Sequence, residues 1–421
     1  MKISKFIVFA QSVNIMINVS YPSVKYLIVN ILSVVDDFKS LKESRKNFIV
    51  NVFTCFSSIK GKINFLQMER FSNKCEQYFR INFENTFNFQ RFNLSLIKPR
   101  VTECIVAFDP SYIKKSGKKT FGLGAYWSGC AGKMKWGLDI CGFAIVDVIQ
   151  NTAFHLNAIQ TPTSKGMNLL QYYCHIIKKN YLYFKELTPY MVADSFFAKY
   201  EAVKTITSLR MHFISRLSDN AYLQYLYQDP PSGGRGAPKK YDGKVNCKEP
   251  NMKYCRLCYC SKELKIYNVI VYSRAFKQNI NLSITVFYNK QGKEITRKLY
   301  FSTDLKMDGV KIVRYYRSRF QIEFLYRDAK QHAGLEDCQA RSQKKLNFHF
   351  NTALTTVNLA KINWLENRKS NNEAFSMANF KTLCHNMFLF NLFFSMFAID
   401  PKIKKNSQKV KELYQYGLIA A

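Results

Sequence analysis

Hydrophobic and polar positions change rhythm several times along the chain. Residues 1 to about 98 carry apolar stretches of helical texture interrupted by basic patches, Lys39, Lys42, Arg45 and Lys46, then Lys60 and Lys62. That texture predicts a helical N-terminal domain over 1–98. Past Pro99 and Arg100 the runs become strand-like: ECIVAFD from Glu103 to Asp109, KWGLDICGFAIVDVI from Lys135 to Ile149, and AFHLNAIQTP from Ala153 to Pro162. Gly- and Lys-rich turns bound them. A helix is predicted from about Gly166 to Leu187, a short strand ending at Asp194, a second helix from about Ser195 to Leu209, and a strand from His212 to Leu217. Three strands, helix, strand, helix, strand is the signature of an α/β domain around one mixed sheet, here spanning 99–217. Between 218 and 305 the period shifts to two in KIYNVIVYSRAF, NLSITVFYN and ITRKLYFST, which reads as a β-rich insertion opening on a flexible basic loop, PPSGGRGAPKKYDGK. A helix from Met307 to about His332 then resumes the α/β core, which extends to 365, and 366–421 reads as a helical C-terminal region rich in Phe and Asn.

Composition narrows the class of partner. At 421 residues the chain has room for two or three domains, and 47% hydrophobic against 22% charged residues excludes disorder as its main state. The net charge of +34 points to a polyanion, not an acidic protein, as partner. Lys, Asn, Phe, Tyr and Ile are also what an AT-rich genome encodes, so only clustered basic residues carry weight. Two clusters stand out: Lys114, Lys115, Lys118 and Lys119 just after the first strand, and Arg235, Lys239, Lys240 and Lys244 in the loop of the insertion. The uncharged stretch from Phe6 to Val24 is broken by Asn14, Asn18, Ser20 and Pro22, which argues against a signal peptide or a membrane span. Scattered cysteines suit a reducing cytoplasm. Cys255 and Cys258 have the spacing of half a zinc site, but without a second pair nearby packed thiols are the favoured reading.

Chemistry concentrates at three carboxylates. Asp109 and Asp194 each close an apolar strand-like run, where α/β sheets place their ligand sites. Either alone is more often a turn former or helix cap; together they count for more. In YYRSRFQIEFLYRDAK, Tyr316, Arg319, Glu323 and Lys330 are spaced by 3, 4 and 7 residues. On one continuous α-helix they would lie at roughly 0°, −60°, −20° and −40°, a narrow stripe. A solvated face with internal salt bridges is the alternative, but Lys311, Arg314, Arg317 and Arg327 crowd the same carboxylate, as expected near phosphates.

The pattern Tyr, two residues, Arg, three residues, Glu, six residues, Lys resembles the YREK signature of bacterial insertion-sequence transposases of the DDE type. The stretches DPSYIKKSGKKTFGLGAYWSG, VADSFFAK and YYRSRFQIEFLYRDAKQHAGLEDCQARS are similar to pieces of those enzymes, and the likeness covers residues 100 to 365. It implies an RNase H-like catalytic domain interrupted by the insertion. It also implies that Asp109, Asp194 and Glu323 bind Mg²⁺ or Mn²⁺, as two ions, and that Tyr316, Arg319 and Lys330 hold a DNA phosphate. The implied activity is cut-and-paste transposition: hydrolysis at the element's ends, then joining of the 3′-hydroxyl to target DNA. Implied partners are double-stranded DNA, as terminal inverted repeats and target, and a second copy of the chain on paired ends, with no membrane involved. A nuclease of the same fold that cuts without joining, and an inactive DNA-binding repressor, are the alternatives.

Overall fold

The computed structural model describes residues 31–162, 166–230, 237–368, 370, 373–398 and 404–419. The Phe6–Val24 stretch and Arg235 lie outside them. Residues 31–36 are helical, and helices α1 (Glu43–Ser58), α2 (Phe65–Arg70), α3 (Glu76–Asn82) and α4 (Phe89–Ile97) follow. The core then runs β1 (Cys104–Lys114), β2 (Gly124–Ser128), β3 (Lys133–Asp147), β4 (Thr152–Gln160), α5 (Leu169–Lys185), β5 (Tyr190–Val192), α6 (Tyr200–Ser208) and β6 (His212–Leu217). Strands β7 (Leu223–Leu226), β8 (Tyr241–Lys244), β9 (Arg256–Cys260), β10 (Leu264–Ser273), β11 (Gln278–Tyr288) and β12 (Glu294–Ser302) follow. Helices α7 (Gly309–Ser318), α8 (Gln321–His332), α9 (Gln343–Asn367), α10 (Met377–Met396) and α11 (Lys404–Tyr414) close the chain.

All strands share one sheet, ordered β2-β3-β1-β5-β6-β12-β11-β10-β7-β8, with β4 beside β3 and β9 beside β10. β4, β3 and β1 are antiparallel in turn, and β1, β5 and β6 run parallel. This is the mixed sheet flanked by helices that the sequence pattern predicts. The chain leaves that core at β6 and returns through β12, which pairs antiparallel with β6 over Ile214–Leu217, so the β-rich segment widens the same sheet. From Gly137 to Asp147 β3 is buried at every position, which is why its sequence reads as a near-continuous apolar run, interrupted inside by Asp139, and not as an alternation.

The free edge of β4 is covered by α9. Asn358 accepts from the His155 amide (2.7 Å) and donates to the His155 carbonyl (2.7 Å). Seven residues earlier, Asn351 accepts from the Ala158 amide (2.9 Å) and donates to its carbonyl (2.9 Å), while Lys361 donates to the Ala153 carbonyl (2.7 Å). Two helical turns separate the two asparagines, so one face of α9 supplies side-chain amides where a further strand would supply backbone. The N-terminal helices reach the same helix through aromatic packing, with Phe48 and Phe83 against Phe348.

Candidate active site

Strand β1 does not stop at Asp109, contrary to the sequence reading; it runs on to Lys114, with Asp109 opposite Gly142 of β3. The opening is made by β5 instead. That strand pairs with β1 only at Val106–Met191 and Ala107–Val192, then ends. Asp194 stands two residues beyond Val192, as Asp109 stands two beyond Ala107, so both stand at the same level just past the last β1–β5 pair. The Asp194 carboxylate caps the following turn, accepting from the Phe196 amide (3.0 Å), and its backbone carbonyl accepts from Ser215 (2.8 Å). The cap reading is realised in this residue.

The expected single helix over 307–332 is two. α7 ends at Ser318 and α8 begins at Gln321, and the bonds across the junction are of the i to i+3 kind: Arg319 to Tyr316 (3.2 Å), Phe320 to Arg317 (3.2 Å), Ile322 to Arg319 (3.0 Å), Glu323 to Phe320 (3.0 Å). Tightening to this geometry displaces the stripe expected of a continuous α-helix. The reason is packing: α7 lies on the inserted strands and β6, whereas α8 lies on β1, β3, β4 and α9. The bend still gathers Tyr316, Arg319 and Glu323, and it brings Arg319 to Asp109.

Arg319 is the centre of the site. Its side chain is only 7% exposed and its two terminal nitrogens donate to Asp109 (3.0 Å) and Glu323 (2.8 Å), leaving the buried Nε without a partner. The phosphate fork implied by the resemblance is therefore occupied by two of the carboxylates. Burial pushes the Asp109 carboxyl up to about 7; Arg319 pulls it down, and Asp194 and Glu323 push it further up. Burial likewise raises Asp194, opposed by Arg319 and the Phe196 amide and reinforced by Glu323. Three like charges thus share one guanidinium in a partly dry setting.

The family profile described as Transposase DDE domain matches residues 153–359. Over those residues, just under half of the chain, the protein is similar to the DDE domain of transposases. No curated protein matches the chain. The matched span holds Asp194 and Glu323 and begins in β4, after the strand that bears Asp109. DDE transposases form a catalytic nuclease and strand-transfer family that binds DNA and uses divalent metal ions. Among the described residues no three His, Cys, Asp or Glu side chains stand close enough to hold a metal ion, and Arg319 bridges two of the carboxylates where a cation's charge would act. The donor set nevertheless fits a hard cation: acidic oxygens, mutually repelling, with a single counter-charge. No described helix is long and apolar enough to cross a membrane.

The other predicted DNA contacts are dispersed. Lys330 turns away from the carboxylates and donates to Ser111 Oγ (3.1 Å) and the Tyr112 carbonyl (2.7 Å). Tyr316 is buried, packs on Tyr300 with ring centroids 4.7 Å apart, and lies beside Arg319. Lys115 donates to the Cys338 carbonyl, while Lys114, Lys118 and Lys119 are exposed. In the insertion, Lys239 pairs with Asp242 (2.6 Å) and Lys240 is exposed. The basic crowd around Glu323 is also partly neutralised, since Lys311 (3.2 Å) and Arg314 both pair with Glu103 and Arg327 pairs with Asp328 (3.3 Å).

Two supports escaped the sequence reading. The Tyr326 hydroxyl donates to the Asp109 carbonyl (2.7 Å), tying α8 to β1, and a Cβ at Gly142 would collide with that hydroxyl. Gly142, set inside the apolar β3 run, was the available signal, since a glycine within a strand marks a close approach. Asp139, buried on the same strand, accepts from Tyr173 (3.1 Å).

Proposed function

We propose that this chain catalyses metal-dependent cut-and-paste transposition of an insertion sequence, cleaving the ends of the element by hydrolysis and joining its 3′-hydroxyl to target DNA. The convergence of Asp109, Asp194 and Glu323, from β1, the turn after β5 and α8, on the single cation Arg319 carries this reading. Asp109, Asp194 and Glu323 would hold two divalent ions, Mg²⁺ or Mn²⁺. When bound, the ions supply activation of the attacking hydroxyl and stabilisation of the leaving oxygen in an in-line displacement. The chain's own residues position the rest. Tyr326 fixes Asp109 from behind, Asp194 is aimed by its own capping bond, and Arg319, displaced from the carboxylates, presents its fork to the phosphate being transferred. Tyr316 orients Arg319, and Lys330 addresses the strand farther along α8. The YREK pattern ties this arrangement to bacterial insertion-sequence enzymes, and with it the expectation of a homodimer on paired inverted repeats.

A strand-transfer assay tests the reading. A labelled duplex carrying the DNA that flanks the gene is incubated with a supercoiled plasmid and Mg²⁺. Wild type should cut and join it, while Asp109→Ala, Asp194→Ala and Glu323→Ala should bind it and lose cleavage by more than about 10³, the upper scale for losing one electrostatic stabiliser. Cleavage without joining would select the nuclease alternative, and cleavage by any Ala variant would show the wrong carboxylate was chosen.

A further inference from the structure

A second cleft opens where α8 ends. Gly334, at φ +69°, reverses the chain so that the Leu335 amide returns to the Ala329 carbonyl (3.1 Å). A side chain there would press on Ile63 and Asp337, so glycine lets the loop after α1 come close. The Ile63 amide donates to Asp337 (2.8 Å). The first turns of α10 form the opposite wall, with Lys60 donating to Thr382 (3.2 Å). The space between these walls, about 470 Å³ and open to solvent, is lined by Lys60, Lys62, Lys330, His332, Lys381 and Asp337.

Its charge is lopsided. Four lysines face one carboxylate, and that carboxylate already accepts a backbone amide. The C-terminal end of α8 adds only about half a negative charge, while the cleft-lining Ala378 sits in the positive first turn of α10. Lys381 is 4% exposed, with its ammonium on the Phe56 carbonyl (2.6 Å), and burial lowers it to about 8, so an anion in the cleft would favour its charged form. Lys60 and Lys62 are exposed at the mouth.

Position identifies the anion. Lys330 lines the cleft and also touches Ser111 and Tyr112 on the strand of Asp109, so cleft and carboxylates share one surface. From Glu323 to His332 is nine residues along α8, roughly 13 Å at 1.5 Å per residue. Along one strand of a duplex that distance is about four nucleotides at about 3.4 Å each. We propose that this cleft, built by the N-terminal loop, the end of α8 and the start of α10, grips backbone phosphates of the DNA about four nucleotides from the bond being cut. The inference rests on the reading of the carboxylates as a DNA-cleaving centre.

Metal-free binding separates the two. Full-length wild type, Lys60→Gln/Lys62→Gln and Lys60→Arg/Lys62→Arg are titrated with a short fluorescein-labelled duplex over a series of potassium chloride concentrations. The slope of log affinity against log salt should fall by about 2 in the Gln pair, near 0.9 for each phosphate no longer neutralised, and stay at the wild-type value in the Arg pair. An unchanged slope in the Gln pair overturns the cleft while leaving the carboxylate reading intact. Absence of DNA binding by wild type itself would sink both. Inorganic phosphate is the second probe: if it binds wild type and is lost in the Gln pair while the DNA slope does not move, the cleft is a free-anion site and the proposal fails.

Discussion

Two parts of this molecule bury polar groups, and they do so in opposite ways. At the β4 edge, Asn351 and Asn358 engage both amide atoms with backbone partners, and His155, lowered to about 3 by burial, is neutral with its Nε2 on Asn351 (3.0 Å). Two strands in from that edge, where the pairing of β1 with β5 comes to an end, Asp109, Asp194 and Glu323 repel one another around Arg319, whose Nε has no partner. The first arrangement is closed: neutral, saturated, and stable as it stands. The second is open, held short of electrostatic balance so that added positive charge is favoured. Saturation marks the polar groups that build this fold, and residual imbalance sets apart the carboxylates of the proposed site.

The contrast is broken most forcefully at the closed end. Asn358→Leu orphans the His155 amide and carbonyl, both buried, at about 1–3 kcal/mol each. Urea denaturation should show a loss of about 2–6 kcal/mol with unchanged m-value, while cleavage per folded molecule stays at the wild-type level. A loss below about 1 kcal/mol would mean that water or a shifted helix replaces the asparagine, and the ladder would no longer count as closed.

Legibility in the sequence followed the same divide. Long strands with local alternation, β10 to β12, were readable because their period is intrinsic. β7, β8 and β9 were not, because short segments in a Gly- and Lys-rich stretch become strands only through pairing with β10 or with one another. β1 reads as ending at Asp109 because its apolar run stops there. Yet β5 pairs only with Val106 and Ala107, so Pro110 lies past the paired stretch on that side, where a strand tolerates proline. The carboxylates could be picked out by type and order. Their capture of Arg319 could not, because the bend at Arg319–Phe320 contains neither Gly nor Pro and follows from the two surfaces that α7 and α8 cover. The asparagines of α9 mislead in the other direction: polar residues seven apart read as a solvent face, and here they face the sheet.

At the open end, the next effect in size comes from Arg319→Lys. Lysine keeps the charge but cannot span Asp109 and Glu323 with two nitrogens. Cleavage and joining should slow on the order of a hundredfold from misplacement of the reacting groups by about 1 Å, with modest loss of DNA affinity. A lower melting temperature with normal cleavage and joining would reassign Arg319 to the groups that build the fold and blur the distinction between the two ends.

The smallest effect tests whether imbalance at the open end extends one strand over, to Asp139. Burial pushes this carboxyl up to about 7, against hydrogen bonds from Thr161 and Tyr173 and the pull of Lys330. Its value in the unfolded chain is about 3.9. A folded-state value above the unfolded one means the native protein holds the proton more tightly, so the stabilisation is complete below about 4 and is lost as pH rises through about 7. Metal-free wild type should therefore become easier to unfold in urea between those limits. Asp109, also raised to about 7, contributes a slope of the same sign, so Asp139→Asn should flatten the decline without abolishing it. Both groups sit near Arg319 or Lys330, but only Asp109 is bound by one of them, so the two slopes need not be equal in size. If the stability curve of Asp139→Asn parallels wild type across this range, Asp139 is ionised at no cost inside its hydrogen bonds and belongs with the closed, saturated groups of the β4 edge.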